Sequence, residues 1–239
     1  MSTADVARPT WLIDELAHAG RENVDAAHVL MYDHKEDANA QAEVELLVHH
    51  GLHAGSTLVD LGAGTGQLAL AAAGTGASVV AVDVSPVMLD RLRAKASAAG
   101  LANLRIVEAG FLSYHHDGLP ADVVYSRWAL HHLADFWKAL ALFRVRSMLR
   151  TGGLLRLSDI VYSFDPAETH ERIEQWRTTV PTVAGPGEWV RSDIDDHVRN
   201  EHSTFTWLLE PIIERSHFRI EDAVHSPDGC FAEYIARAI

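Results

Sequence analysis

Between residues 58 and 70 the chain reads LVDLGAGTGQLAL. Gly62, Gly64 and Gly66 stand between an apolar, strand-like run and an Ala/Leu-rich helical one, so a strand must turn into a helix within a few residues. Glycine permits so tight a turn and leaves room for a ligand against the backbone. The spacing also narrows the ligand. The third glycine is Gly66, whereas the dinucleotide pattern GxGxxG would require it at Gln67. No Walker-type Lys-Ser/Thr pair follows. The turn suits the bulk of an adenosyl amino acid better than a pyrophosphate.

The same rhythm continues along the chain. SVVAVDVS is a second strand ending at Asp83, whose carboxylate can accept hydrogen bonds from both hydroxyls of a ribose. Ser85 is a plausible cap and Pro86 a first-turn residue for the helix VMLDRLRAKASAAG, on which Met88 either lines a base pocket or packs in the core. NLRIVEAG, ADVVYS and LLRLSD continue the strands, and DFWKALALFRVRSMLRTGG supplies a helix between the last two. Alternating strands and helices predict an α/β fold, an open and mainly parallel sheet wrapped on both faces, with ligand loops at the strands' carboxyl edge. FRIEDAVHS and CFAEYIARAI read as two further strands joined by a turn at Pro227–Gly229, after a last helix with a kink expected at Pro211.

The flanks read differently. Residues 1–50 form an N-terminal helical cap, with helical stripes in WLIDELAHAG and from Asn39 to His50. HVLMYDHKED between them either covers a pocket or makes a surface connection. Residues 160–203 form an insertion over the ligand edge, interrupted by Pro166, Pro181, Gly185, Pro186 and Gly187. At 239 residues and 48% hydrophobic content, a single domain over 1–239 with a substantial core is expected. Cys230 is the only cysteine and reads as an unreactive thiol. The net charge of -13, from 20 Lys and Arg against 33 Asp and Glu, disfavours nucleic acid as a partner. Without a signal core or an 18-residue apolar run, the expected location is cytoplasmic and away from membranes. Monomer and homodimer both remain open.

LVDLGAGTG, VVAVDVSPVML, VEAGFL, DVVYSRWALHHL and LRTGGLLRLSD together resemble the class I S-adenosylmethionine-dependent methyltransferases, in particular those acting on small molecules. The resemblance is good over residues 55–160 and weaker at the C-terminus. It implies a Rossmann-like fold: a mostly parallel seven-stranded sheet with an antiparallel C-terminal strand. It further implies S-adenosyl-L-methionine as cofactor, S-adenosyl-L-homocysteine as product, and no required metal. Asp60 then serves the methionine amino end, often through water. Gly62, Ala63, Gly64 and Gly66 form the loop under the cofactor, and Asp83, with its neighbour Val84, holds the ribose. Gly110 and Phe111 lie beside adenine. Many relatives carry an Asp immediately after that glycine, so Phe111 shifts base recognition toward backbone groups and packing. Arg127 approaches the methionine part or the acceptor. Apart from the resemblance, Tyr32 in HVLMYDHKED either closes over the cofactor or belongs to a surface connection.

A sulfonium is an activated methyl donor, so the protein must chiefly hold an acceptor in line and exclude misplaced water. A base is needed only where the acceptor must lose a proton. His131 and His132 are the candidates, and being adjacent they cannot both point equally into one pocket; His131 is preferred. Asp159, at a predicted strand end, orients the acceptor or a histidine, and Tyr162 donates a hydrogen bond or forms an aromatic wall. His170, Trp176, Trp189, His197, His202 and Trp207 either shape an acceptor pocket or stabilise the insertion. Methyl transfer to the O, N or C atom of a small molecule is the leading reading. A nucleic-acid or protein methyltransferase and a non-catalytic S-adenosylmethionine-binding interaction protein are the alternatives. The glycine spacing argues against an NAD-dependent oxidoreductase.

Overall fold

Strand β1 (Thr57–Leu61) has apolar residues on both faces because both faces are covered. It pairs in parallel with β2 (Ser78–Asp83) and with β4 (Ala121–Arg127). Strand β3 (Leu104–Glu108) lies outside β2, and β5 (Leu149–Tyr162) beyond β4, again in parallel. The computed structural model describes residues 9–20, 23–35, 39–183, 185 and 188–239. Parts of the expected N-terminal cap (1–8, 21–22, 36–38) and of the insertion (184, with Pro186 and Gly187) lie outside the described residues.

The strand order is β3-β2-β1-β4-β5-β8-β7, the expected seven strands. Strand β8 (Phe231–Ala238) is antiparallel to both β5 and β7 (Phe218–His225). One strand is additional: the two-residue β6 (Thr204–Phe205) pairs with the end of β5.

Alternation along the strands separates two cores. Val59, Leu61, Val80 and Val82 pack with α5 (Asp135–Met148) and α8 (Thr206–Arg215), which stays helical through Pro211. Leu58, Val79 and Ala81 pack on the other side with α2 (Ala40–His49), α3 (Gln67–Ala73) and α4 (Pro86–Ala98). Ser85 caps α4 by accepting from the Met88 N–H at 3.3 Å, and its hydroxyl donates to the Asn23 carbonyl at 2.5 Å. The segment expected as an insertion carries α6 (Thr169–Thr178) and α7 (Arg191–Asn200) over a smaller core of Ile160, Tyr162, Phe164, Trp176, Ile194 and the fully buried Cys230.

Two expectations are corrected, and the segment left open between the helical stripes is resolved. WLIDELAHAG forms only a single 3-10 turn, Leu16–His18, because Glu15 turns inward to bond with Leu112 and Ser113. HVLMYDHKED is largely helical, in α1 (Ala26–Lys35), whose start is held by Asp25 accepting from the Ala27 N–H at 2.8 Å. Asp159 is not at a strand end: β5 continues to Tyr162 because β8 and β6 go on pairing with it.

Gly66 starts α3 at φ 83°, and a Cβ there would lie 2.0 Å from Leu92 Cδ1. Gly66→Ala adds a left-handed penalty and an overpacked contact, so a loss of about 2–4 kcal/mol is expected. Urea denaturation checks this: the midpoint falls while the slope holds.

Candidate active site

The glycine turn is fixed by its neighbours. The N–H groups of Gly62 and Ala63 both donate to the Val82 carbonyl, at 2.9 and 3.0 Å. Gly62 has φ 76°, and a Cβ there would stand 2.3 Å from the Ala129 Cβ. No other residue fits that approach. Asp83 bridges the turn and the start of α4: one carboxylate oxygen accepts from the Gly64 N–H and the other from the Ser85 N–H, each at 2.8 Å. Burial raises the Asp83 pKa above the usual carboxylate range, against the opposing backbone donors of Ser85, Gly64 and Val84. Asp60 is buried behind the turn, and burial together with the nearby Asp83 pushes it up to about 8.

A cavity of about 600 Å³, counting the space open to solvent, lies over this turn. Eight expected residues line it: Tyr32, Gly62, Gly64, Asp83, Val84, Met88, Gly110 and Phe111. Tyr32 on α1 lies across the turn, its ring within 3.6 Å of where a Gly64 Cβ would be. Asp33, the next residue, fastens α1 in place by accepting from the Thr65 hydroxyl, from Lys95 Nζ at 2.6 Å and from Arg91 Nε at 3.1 Å.

The other expected cofactor residues do not reach the wall. Asp60 is among them, Ala63 packs toward the core of α2 to α4, and Gly66 faces Leu92. The Arg127 guanidinium carbon sits 3.6 Å from the centre of the Trp128 ring.

A second, wider cavity, about 1810 Å³ with its open mouth, shares Asn23, Tyr32, Trp128 and His132 with the first. His131, Trp189, His197, Glu201 and His202 also line it. Here Asp159 and His131 come together, with Nδ1 and Oδ1 at 2.5 Å, while His131 Nε2 lies 3.1 Å from Glu201 Oε2. The same Glu201 oxygen meets His197 Nδ1, and His197 Nε2 contacts the Ser203 hydroxyl at 2.8 Å. Burial pulls the His131 pKa down, but the Asp159 and Glu201 carboxylates outweigh it and raise it to about 10. His132 goes the other way, to about 3, through burial and then the neighbouring His131 charge. Burial raises Glu201, yet the bonds from His131 and His197 hold it below the usual carboxylate range.

His131, His132 and Glu201 offer three ligand atoms within 4.8 Å of one another, a donor set able to hold a cation. The imidazole–carboxylate contacts just described engage His131 and Glu201 of that set. Tyr162 lines neither cavity; it packs on Phe164 and Phe205 in the insertion core. Trp176 belongs to that core, Trp207 stacks on Phe205 at the surface, and His170 lines neither cavity.

Residues not singled out from the sequence complete both cavities: Glu15, Ala19, Asn23, Trp128, Ala129 and Leu133 in the first, Asp193, Asp196 and Glu201 in the second. Their signals are faint because they come from segments outside the glycine turn, Glu15 from an N-terminal turn and Asp193 and Asp196 from α7.

Residues 58–153 match the Methyltransferase domain family. An uncharacterized methyltransferase of Geobacillus sp. (strain WCH70) is 29% identical over 109 residues, 46% of this chain and 49% of the relative. The chain thus spans about half the length of the curated relatives it matches. Among solved structures, the CcbJ methyltransferase from Streptomyces caelestis shares the fold with a TM-score of 0.67 at 16% identity, over 95% of this chain and 99% of that one. The [4+2]-cyclase SpnF shares it with a TM-score of 0.63 at 16% identity, over 83% and 81%. Over residues 58–153 the chain is thus similar to a methyltransferase domain, and its sheet order and flanking helices match the Rossmann-like fold of class I S-adenosylmethionine-dependent methyltransferases. S-adenosylmethionine, with S-adenosylhomocysteine as its demethylated form, is the cofactor consistent with that family and fold. Among the described residues, no helix is long and apolar enough to cross a membrane.

Proposed function

We propose that this protein transfers the methyl group of S-adenosylmethionine to a small-molecule acceptor. One observation carries the reading: the cavity over the glycine turn and the wider second cavity share the wall of Asn23, Tyr32, Trp128 and His132. A donor in one and an acceptor in the other would meet there. Gly62 and Gly64 admit the donor against the backbone, Asp83 grips its sugar, and Tyr32 covers it. The bound cofactor supplies an electrophilic methyl carbon.

The acceptor side is described by what the protein holds ready. His131 is an imidazolium at neutral pH because two carboxylates flank it. It therefore donates to Asp159 and holds Glu201 by an ion pair, and catalysis rests on placing the acceptor. Asp159 is a positioning residue acting through His131. Turnover of the natural acceptor should consequently show no ionisation of His131 between pH 6 and 9, checked by a pH profile of kcat. A step near the ordinary histidine pKa of about 6.5 would show that His131 serves as a free base.

Asp193, Asp196 and Glu201 line the second cavity, and among the described residues no Lys or Arg does. That favours a small acceptor over a phosphate backbone. The test is incubation with a metabolite extract and methyl-labelled S-adenosylmethionine, with labelled products identified by mass spectrometry. SpnF, a [4+2]-cyclase of this fold, motivates the second reading, a reaction without methyl transfer. Conversion of an extract component without uptake of label would favour it.

A further inference from the structure

Glu15 is a buried carboxylate, 6% exposed, on an N-terminal turn outside the matched domain. It lines the cavity over the glycine turn, beside Ala109, Gly110 and Phe111. One of its oxygens accepts from the Leu112 N–H at 2.9 Å and the other from the Ser113 hydroxyl at 2.8 Å. An ionised carboxylate has about four acceptor sites, so two neutral donors leave capacity unused. Among the described residues no Lys or Arg pairs with it. A buried carboxylate in that situation gains from any further donor the cavity receives.

Gly110 shows how closely this group is built into the site. A Cβ there would lie 2.3 Å from Glu15 Oε1 and 2.5 Å from its Cδ. The space that a side chain at 110 would occupy is filled by the Glu15 carboxylate instead.

The sheet order says which part of the ligand arrives there. The glycine turn follows β1, Asp83 ends β2, and Ala109 to Phe111 follow β3, three neighbouring strands in succession. The acceptor cavity adjoins on the opposite side, through Trp128 and His132 after β4. With the sugar at Asp83 and the sulfonium end toward β4, the base lies at β3.

We propose that Glu15 selects the base, accepting a hydrogen bond from the exocyclic amino group of adenine. That amino group carries the only N–H donors of the base in an adenosyl ligand. A 6-oxo purine would turn an oxygen toward the carboxylate and be rejected. The proposal rests on the S-adenosylmethionine reading, and it makes the N-terminal segment part of the cofactor site.

Calorimetric titration of the full chain with S-adenosylhomocysteine and with its 6-oxo counterpart, S-inosylhomocysteine, tests it. The unaltered protein should prefer the adenosyl ligand by at least about tenfold, a charge-assisted hydrogen bond gained against a repulsive contact. Glu15→Ala and Glu15→Gln should shrink the preference to within about threefold, mainly through weaker adenosyl binding. Glu15→Gln keeps an amide oxygen for Leu112 and an N–H for Ser113, so it tests recognition even where the alanine variant fails to fold. Folded variants that retain the full preference would overturn the proposal and leave Glu15 a clamp on the loop. Equal binding of both ligands by the unaltered protein would overturn it alone; binding of neither would overturn the cofactor reading with it.

Discussion

Asp83→Ala is expected to weaken S-adenosylhomocysteine binding by about 100-fold, and Asp83→Asn by about tenfold, as read by calorimetry; a hydrogen bond to a charged group contributes about 1.5–3 kcal/mol. Each Asp83 oxygen already holds one backbone N–H, from Gly64 or Ser85, and keeps lone pairs for the ligand's two hydroxyls. Alanine removes every one of these contacts and also frees the glycine turn from α4. Asparagine preserves the shape but turns an N–H toward one of the two backbone donors. Acid should act on the same group. Because burial raises the Asp83 pKa, its carboxyl takes up a proton at a higher pH than an exposed aspartate. Affinity should therefore fall as pH drops from neutrality, beginning above the usual carboxylate range, and Asp83→Asn should flatten that fall. Unchanged affinity in Asp83→Ala, with the melting temperature preserved, would remove Asp83 from the ligand.

The sheet was legible because its evidence is local: apolar runs such as LVDL and SVVAVD, and turns marked by glycine or by Ser85–Pro86. The cavity over the glycine turn, the proposed cofactor side, was legible for the same reason, since Gly62, Gly64 and Asp83 on its wall lie at strand ends whose order the rhythm gives. Glu15 was not, because its partners at Leu112 and Ser113 are almost a hundred positions away, and its own neighbourhood looks like an ordinary amphipathic helix. Glu201 was hidden similarly: it ends α7 in the insertion, and only folding brings it against His131. Tyr162 misled because alternation along β5 can be read only once the strand's end is known. The strand runs past Asp159, so Asp159 bonds His131 while Tyr162 lies in the insertion core.

The largest effect on stability should follow Asp159→Asn. Asp159 is 1% exposed, and one oxygen accepts both from His131 Nδ1 at 2.5 Å and from the Ile160 N–H at 2.9 Å. Around His131 stand Asp159 from β5, Glu201 at the end of α7, His197 on α7 and His132 beside it. Taking one carboxylate from a buried pair leaves a charge with poorer compensation, at about 3–5 kcal/mol. For a chain of this size that lowers the melting temperature by about 10 °C. The pH dependence identifies the cause. Against the pull of burial, the two carboxylates raise His131 from 6.5 to about 10 in the folded protein. A raised pKa means the imidazolium's contribution is complete below pH 6.5 and is lost as pH climbs through about 10. The unaltered protein should thus lose stability between pH 7 and 10, and Asp159→Asn should lose much less over that range, because its His131 gives up the proton earlier. Cofactor affinity should change little, since Asp159 lies off the wall over the glycine turn. An Asp159→Asn variant that melts within 2 °C of the parent, with the same slope against pH, would show that the two carboxylates do not share a charged His131; 2 °C corresponds to less than about 1 kcal/mol.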